Sequence, residues 1–441
     1  MRRDFVPLRR RPPAEPPGPP EPHDLGTTDQ CIELMTRWSR EYGDTYRVFA
    51  PDRGSWTWVI QHPDDVKRVL VTNHRNYTKG VGIDRVRLLL GNGIMTSEGG
   101  TWRRQRRMMQ PAFHRRIIEQ FAGVVQTLSN ATVDGWLAAA GRGETVNLTE
   151  SMSELALDVV LHAIFSHDLG RLVSDLTDNP FMMVTKESRR DPRFAYEFRQ
   201  LGKHVLKLVR QRRSRGTRHF DFTQMLMEAV DPDTGQGMTE REITDEILTL
   251  VVAGHETTAS ALNWTWWLLS QHPDNERRLH EEQDMAGDLG LARYADLDRL
   301  PFTRQVLHES LRLYPPGWLL TRRTIGPDRL GGHAVPPGTD VFLSPYFVHR
   351  HPQFWDNPQG FDPDRFNPGQ AEGRHKFAYI PFAAGPRHCI GENFSLYEMM
   401  MHLNGATRRV RLRPADTGVA PVEARINLRS ARDFHMRVEK R

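Results

Sequence analysis

The sequence predicts a mainly α-helical protein with a minor β region, one large domain behind a short N-terminal arm. Three observations predict it. From about residue 28 to 325, Glu-, Arg- and Leu-rich segments are broken only by short punctuation, as at Gly141-Arg142-Gly143, Asp231-Pro232-Asp233 and Gln271-His272-Pro273. From Leu330 to Asp364 the character changes to turns and short strands, with Gly331-Gly332, Pro336-Pro337-Gly338 and the alternating Asp340-Val341-Phe342-Leu343. No internal repeat and no linker divides the chain, which favours one core over two.

Residues 1–27 read as a Pro/Arg-rich arm (Arg2, Arg3, Arg9, Arg10, Arg11, then prolines to Pro22), extended because proline-rich chain favours polyproline geometry. This stretch lacks the apolar middle of a signal peptide. Residues 28–441 form the domain. Within it, Thr239 with Glu242 makes a capping box for a helix whose buried face carries Ile243, Ile247, Leu250 and Val251. A long irregular stretch near residues 350–388 marks a functional loop, since structureless loops of that length are rare in compact domains. A last helix is expected to start near Cys389 and run towards His402. Val422 to Leu428 and Phe434 to Val438 read as strands.

Composition bounds the class. The 441 residues are 38% hydrophobic and 26% charged, enough apolar material for a sizeable core. The best apolar run, Ile247 to Gly254, is too short to cross a bilayer, so a cytoplasmic protein with no transmembrane anchor is expected. A net charge of +5 suits nucleic acid, an acidic protein or an anionic surface. Zinc-finger spacing, a basic zipper and an aromatic RNA-binding signature are all missing, which argues against nucleic acid. The two cysteines, Cys31 and Cys389, offer no disulfide framework.

The most informative segment is Phe382-Ala383-Ala384-Gly385-Pro386-Arg387-His388-Cys389-Ile390-Gly391. It places a cysteine before an amphipathic helix, where the dipole and free N–H groups favour a thiolate. Its glycines allow close backbone approach to a flat cofactor. A second segment, Ala253-Gly254-His255-Glu256-Thr257-Thr258, puts an acid and an alcohol inside an apolar helix. That is locally unfavourable and therefore points to function. A zinc-protease reading of His255-Glu256 fails, because the second histidine would fall on Ala259. Glu309-Ser310-Leu311-Arg312 and the basic run Thr101-Trp102-Arg103-Arg104-Gln105-Arg106-Arg107 carry little information alone.

Taken together, these motifs resemble those of the cytochrome P-450 family, in family order and over roughly residues 28 to 440. The cysteine loop fills every specified position of Phe-x-x-Gly-x-Arg-x-Cys-x-Gly. The resemblance implies a single triangular fold, with haem between the central oxygen-binding helix and the cysteine-loop helix. It implies haem b (iron protoporphyrin IX), with Cys389 as the metal ligand and Phe382, Gly385, Arg387 and Gly391 around it. Trp102, Arg106 and Arg322 would meet the propionates, as would Arg387. Ala253 and Gly254 would flank the oxygen site, Gly254 making room for dioxygen, while Thr257 holds activated oxygen and Glu256 relays protons. Glu309, Arg312 and Arg365 (in Phe361-Asp362-Pro363-Asp364-Arg365-Phe366) would form a buried structural network.

The activity implied is monooxygenation of a lipophilic small molecule, hydroxylation or epoxidation, in terpenoid, polyketide or other secondary metabolism. Electrons would come from an acidic ferredoxin or flavodoxin-type redox protein with its reductase, because the chain has no nucleotide fingerprint or iron–sulfur cysteine set. The other arginines of the Trp102 helix, Arg104 and Arg107 among them, would dock that partner. A monomer is expected. The alternatives are desaturation, coupling or peroxide-driven chemistry on the same fold, or a non-catalytic haem gas-binding protein. Glu256 and Thr257 argue against the last, since a sensor needs no proton relay. The substrate pocket is expected along Gly80 to Met95, around Phe181 to Leu208, and at Trp318-Leu319-Leu320, with Arg85 and Arg87 as cations able to meet a carboxylate.

Overall fold

The computed structural model describes residues 15–25, 30–174, 192–287, 293–416, 418 and 420–441. Most of the expected arm, and Phe181 to Asp191 of the expected pocket wall, lie outside the described residues. Residues 15–25 lie against the first strand: the Arg47 N–H donates to the Pro17 carbonyl and the His23 N–H to that of Phe49. Leu25 is buried there.

Helices dominate. After α1 (Cys31–Tyr42) come strands β1 (Thr45–Ala50), β2 (Ser55–Ile60) and β3 (Tyr77–Lys79), then helices α2 (Ile83–Leu90), α3 (Gly99–Met109) and α4 (Ala122–Gly141). Strand β4 (Val146–Asn147) precedes α5 (Leu148–Phe165), α6 (Pro192–Arg215), α7 (Glu240–Gln271), α8 (Pro273–Ala286) and α9 (Pro301–Leu313). Strands β5 (Leu320–Thr324) and β6 (Asp340–Leu343), helix α10 (Glu392–Thr407), and strands β7 (Val410–Pro414), β8 (Val422–Ala424), β9 (Leu428–Ser430) and β10 (His435–Lys440) complete it.

Strands β1 and β2 fall where helix was expected. They pair antiparallel, Thr45 opposite Ile60, and β2 pairs parallel with β6, Thr57 opposite Asp340. The five-stranded sheet runs β1-β2-β6-β5-β3. Short apolar runs such as Trp58-Val59-Ile60 suit strand and buried helix alike, and only the partner strand decides between them.

Helix α7 crosses the centre of the molecule. Its capping box forms as expected: the Thr239 hydroxyl accepts from the Glu242 N–H at 3.2 Å, and the Glu242 carboxylate accepts from the Thr239 N–H at 2.8 Å. Its C-terminal half is buried on nearly every face, with Leu262, Trp264, Trp266 and Leu269 beside the polar Ser260, Asn263 and Thr265. Such a helix is stable only when wrapped by others, and α5 supplies one wall, with Ser153 bonded to His255 at 2.9 Å.

The long stretch near residues 350–388 is irregular but well tied. Arg312 donates to the carbonyls of His349 (3.0 Å), Pro358 (2.7 Å) and Gly360 (2.9 Å) while forming a two-pronged pair with Glu309 at 2.7 Å. Arg365 meets Glu309 at 3.2 Å and the Asn357 carbonyl at 2.9 Å. Glu309 and Arg312 are fully buried. The guanidinium groups satisfy carbonyls that an irregular loop leaves unpaired, which is why the loop needs no regular structure.

Candidate active site

The cysteine loop descends through a short turn at Gly385–Arg387, and α10 begins at Glu392, three residues after Cys389 rather than at it. The offset matters chemically. Cys389 stands outside the helix, and the Gly391 and Glu392 N–H groups donate to its sulfur. Burial, with the Glu392 carboxylate nearby, holds the Cys389 thiol above its ordinary value, and those N–H groups and Arg106 offset only part of the rise. The Cys389 N–H donates to the Phe382 carbonyl at 3.0 Å, closing the loop. Gly385 has φ of 73°, and a Cβ there would sit 2.0 Å from the Leu70 carbonyl oxygen, so no other residue fits. Cys389 is exposed, although many protein atoms surround its loop. Cys31 is the opposite case, buried against Met35 with its thiol pushed up to about 12 by desolvation.

On α7, Ala253, Gly254, Glu256 and Thr257 are partly exposed, whereas Val251, His255, Thr258 and Ala259 are buried. This is an opening in an otherwise wrapped helix. The Thr257 hydroxyl donates to the Ala253 carbonyl at 2.7 Å. The Glu256 carboxylate accepts from the Asn427 amide at 2.6 Å. The space left by the absent Gly254 side chain is taken by α5, since a Cβ would lie 2.8 Å from Val160. Close helix packing is thus a second demand on a glycine assigned from sequence to dioxygen alone.

The expected propionate residues gather around an excess of positive charge. The Arg387 guanidinium lies 4.4 Å over the Trp102 ring and pairs with Glu98. Arg106 donates to the His388 carbonyl at 2.8 Å. Arg322 donates to the Thr321 carbonyl at 2.8 Å, and burial with Arg387 nearby pulls it down to about 10. Two residues missed from sequence complete the cluster. Glu98 accepts from the Lys79 backbone N–H at 2.7 Å. The Lys79 ammonium donates to the carbonyls of Ile94 (3.0 Å) and Ser97 (2.8 Å), and burial with Arg387 nearby lowers it to about 7. No motif surrounds either residue; four chain segments meet only in space.

These residues fit a haem. A flat dianionic cofactor with a metal needs a soft donor, a close backbone and cations for its carboxylates. The site offers Cys389, the Gly385 turn, and the cations Lys79, Arg106, Arg322 and Arg387, with Glu98 beside Lys79, Arg322 and Arg387 and Glu246 near Lys79. A pH effect follows. Lys79 is lowered from 10.5 to about 7, so the folded haem-free chain carries a penalty that is absent above the ordinary lysine value, grows as pH falls from there and is complete below about pH 7. Lys79→Met is therefore expected to stabilise the haem-free protein at pH 6 to 7, with the gain vanishing towards pH 10.5, and to weaken haem retention. Denaturant unfolding across that range, with haem-transfer rates, checks both.

The docking role given to Arg104 and Arg107 needs correction. Arg104 pairs with Glu242 in the α7 cap at 2.6 Å, and Arg107 with Asp231 at 3.0 Å and Asp233 at 2.5 Å. Reversing them would unpin the start of α7 before it touched any partner. Arg103, on the same helix, is exposed.

A family model described as "Cytochrome P450" matches residues 22–187 and 173–426. The chain is 36% identical over 372 residues to cyclooctatin synthase of Streptomyces melanosporofaciens, covering 80% of each chain. It is 34% identical to cyclooctat-9-en-7-ol 5-monooxygenase of the same organism, covering 91% of this chain and 93% of that one. Among solved structures, the haem domain of cytochrome P450DA superposes with a TM-score of 0.84 at 25% identity, covering 97% of both chains. A cysteine held by helix N–H groups, a cationic cluster beside it and an opened central helix belong together because the chain is a member of the cytochrome P-450 family, whose enzymes are monooxygenases.

Proposed function

We propose that the chain binds haem b through Cys389 and inserts one atom of dioxygen into a terpenoid-type lipophile, as a cytoplasmic enzyme fed by an acidic ferredoxin or flavodoxin-type protein and its reductase. The observation that carries this is the exposed Cys389 sulfur with two N–H groups and Arg106 around it, in a loop closed by the bond from the Cys389 N–H to the Phe382 carbonyl. When bound, the haem supplies activation of dioxygen, and a thiolate ligand favours O–O cleavage. Arg106, Arg322, Arg387 and Lys79 would hold its carboxylates. Glu256, joined to Asn427, would take protons from water and pass them on; Thr257, anchored at the Ala253 carbonyl, would keep its oxygen turned to the site. Partly buried Val86, Leu89, Ile94 and Met95 pack on the main core beside this region and suit an apolar substrate.

The terpenoid reading draws on the relatives. One is named for oxygenating an unsaturated alcohol, cyclooctat-9-en-7-ol. Cyclic terpene alcohols are therefore expected to shift the ferric Soret band to shorter wavelength, as displacement of the water ligand does, whereas fatty acids of like size give a weaker shift. A titration in which fatty acids alone respond would overturn the substrate class. No helix among the described residues is long and apolar enough to cross a membrane.

A further inference from the structure

Glu256 is met by a side chain from a part of the chain that the family motifs do not include. The hairpin of β8 and β9 turns at Arg425, Ile426 and Asn427, and the Asn427 amide donates to Glu256 Oε2 at 2.6 Å. An asparagine donates only through its NH2, so this contact also fixes the amide's orientation. We propose that Asn427 is a positioning residue for Glu256, holding its carboxylate in one orientation for the transfer of protons. This rests on the reading of Glu256 as the proton-carrying acid.

The hairpin is built to hold that amide in place. The Leu428 N–H donates to the Pro316 carbonyl at 2.9 Å, and the Trp318 indole to the Arg425 carbonyl at 2.7 Å. Two further anchors come from α7 itself: the Ser260 hydroxyl donates to the Leu428 carbonyl at 2.6 Å, and the Asn263 amide to the Ser430 hydroxyl at 3.2 Å. Ser260 and Asn263 lie one and two turns beyond Glu256 on the same helix, and residues at these spacings share a face. The hairpin tip is therefore indexed to the helix that carries the acid. Leu428 is fully buried, so the tip cannot shift without exposing it.

The chemistry explains why such a hold is useful. A glutamate has three side-chain torsions, and an acid that wanders among rotamers presents its proton in the right place only part of the time. The Thr257 hydroxyl already spends its own proton on the Ala253 carbonyl, so a proton moving through this region has to be brought to it. Each turnover takes up two protons with two electrons and one dioxygen, leaving one oxygen atom in the product and one in water. Glu256 gains a proton from water, releases it, and ends as it began. Asn427 exchanges no proton and contributes only orientation.

The test needs no substrate. Holoprotein is supplied continuously with electrons by a surrogate ferredoxin and its reductase, and its consumption of dioxygen is timed in H2O and D2O. Glu256→Gln is expected to slow consumption about a hundredfold, the low end of general acid–base effects. Asn427→Leu, similar in volume but without the donor, is expected to slow it about tenfold with an altered solvent isotope effect, and Asn427→Gln to recover most of the rate. The double variant should be no slower than Glu256→Gln alone, because both changes act on one step. A wild-type rate and isotope effect in Asn427→Leu, beside a slow Glu256→Gln, overturns the role of Asn427. A wild-type rate in Glu256→Gln overturns the reading of the acid itself. Each variant must show the carbon monoxide band of the parent; if Asn427→Leu does not, Asn427→Ser takes its place and the same outcomes apply.

Discussion

Cys389→Ser is expected to abolish monooxygenation and to erase the red-shifted Soret band that the reduced wild-type protein shows under carbon monoxide. Serine nearly matches cysteine in size and still accepts from the Gly391 and Glu392 N–H groups, so the loop should keep its shape. What changes is the donor: a hydroxyl with an ordinary pKa far above neutrality cannot supply the soft anionic ligand that a thiolate does. The loss is therefore chemical, and any haem that remains should show a spectrum without the thiolate shift. Cys31→Ser is the control. That thiol is buried against Met35 with nothing to lower its pKa, so the band should be unchanged, at a modest cost in stability. If wild-type protein lacks the band, or Cys389→Ser retains it, Cys389 is not the ligand.

The second large effect concerns stability. Arg312→Ala and Glu309→Gln are each expected to cost about 3–5 kcal/mol, because removing one partner strands the other in a buried site. Arg312→Ala also deprives the His349, Pro358 and Gly360 carbonyls of their donor. Glu309→Gln leaves two arginines, Arg312 and Arg365, sharing a neutral acceptor. Arg365→Lys keeps the charge but loses the fork, so its cost should be smaller. Because the network ties down the stretch ahead of the cysteine loop, haem should leave these variants faster than it leaves the parent. Denaturant unfolding of holoprotein with parallel haem-transfer rates measures both. A change below about 1 kcal/mol would mean the network behaves like a surface pair.

Much of the site was legible in the sequence because its chemistry is carried by residues close together in the chain. The cysteine needs its own loop and the helix that follows, and Phe382 to Gly391 lies within one short segment. Glu256 and Thr257 stood out because a polar pair inside an apolar helix breaks a local rule. The capping box at Thr239 was legible for the same reason: its hydrogen bonds join residues three apart. Glu309 with Arg312 was legible only through its place among the other motifs, since an i, i+3 pair is common on any helix surface.

What tertiary structure alone decided depends on residues far apart in sequence. Strands β1 and β2 became strands because β6 arrives from nearly 300 residues away to pair with β2, a contact no local pattern encodes. Lys79 and Glu98 entered the cationic cluster because β3 and the turn before α3 meet β5 and the cysteine loop in space; neither residue is unusual where it stands. Arg104 and Arg107 looked like free docking charges until the fold set Asp231 and Glu242 against them. Asn427 reaches Glu256 only because the last hairpin folds back onto the central helix. The sequence by itself determined which atoms can do chemistry, since that is a property of side chains and their near neighbours. Tertiary structure decided which of them are buried, paired or aimed, because charge, solvation and orientation depend on everything within a few ångströms, whatever its place in the chain.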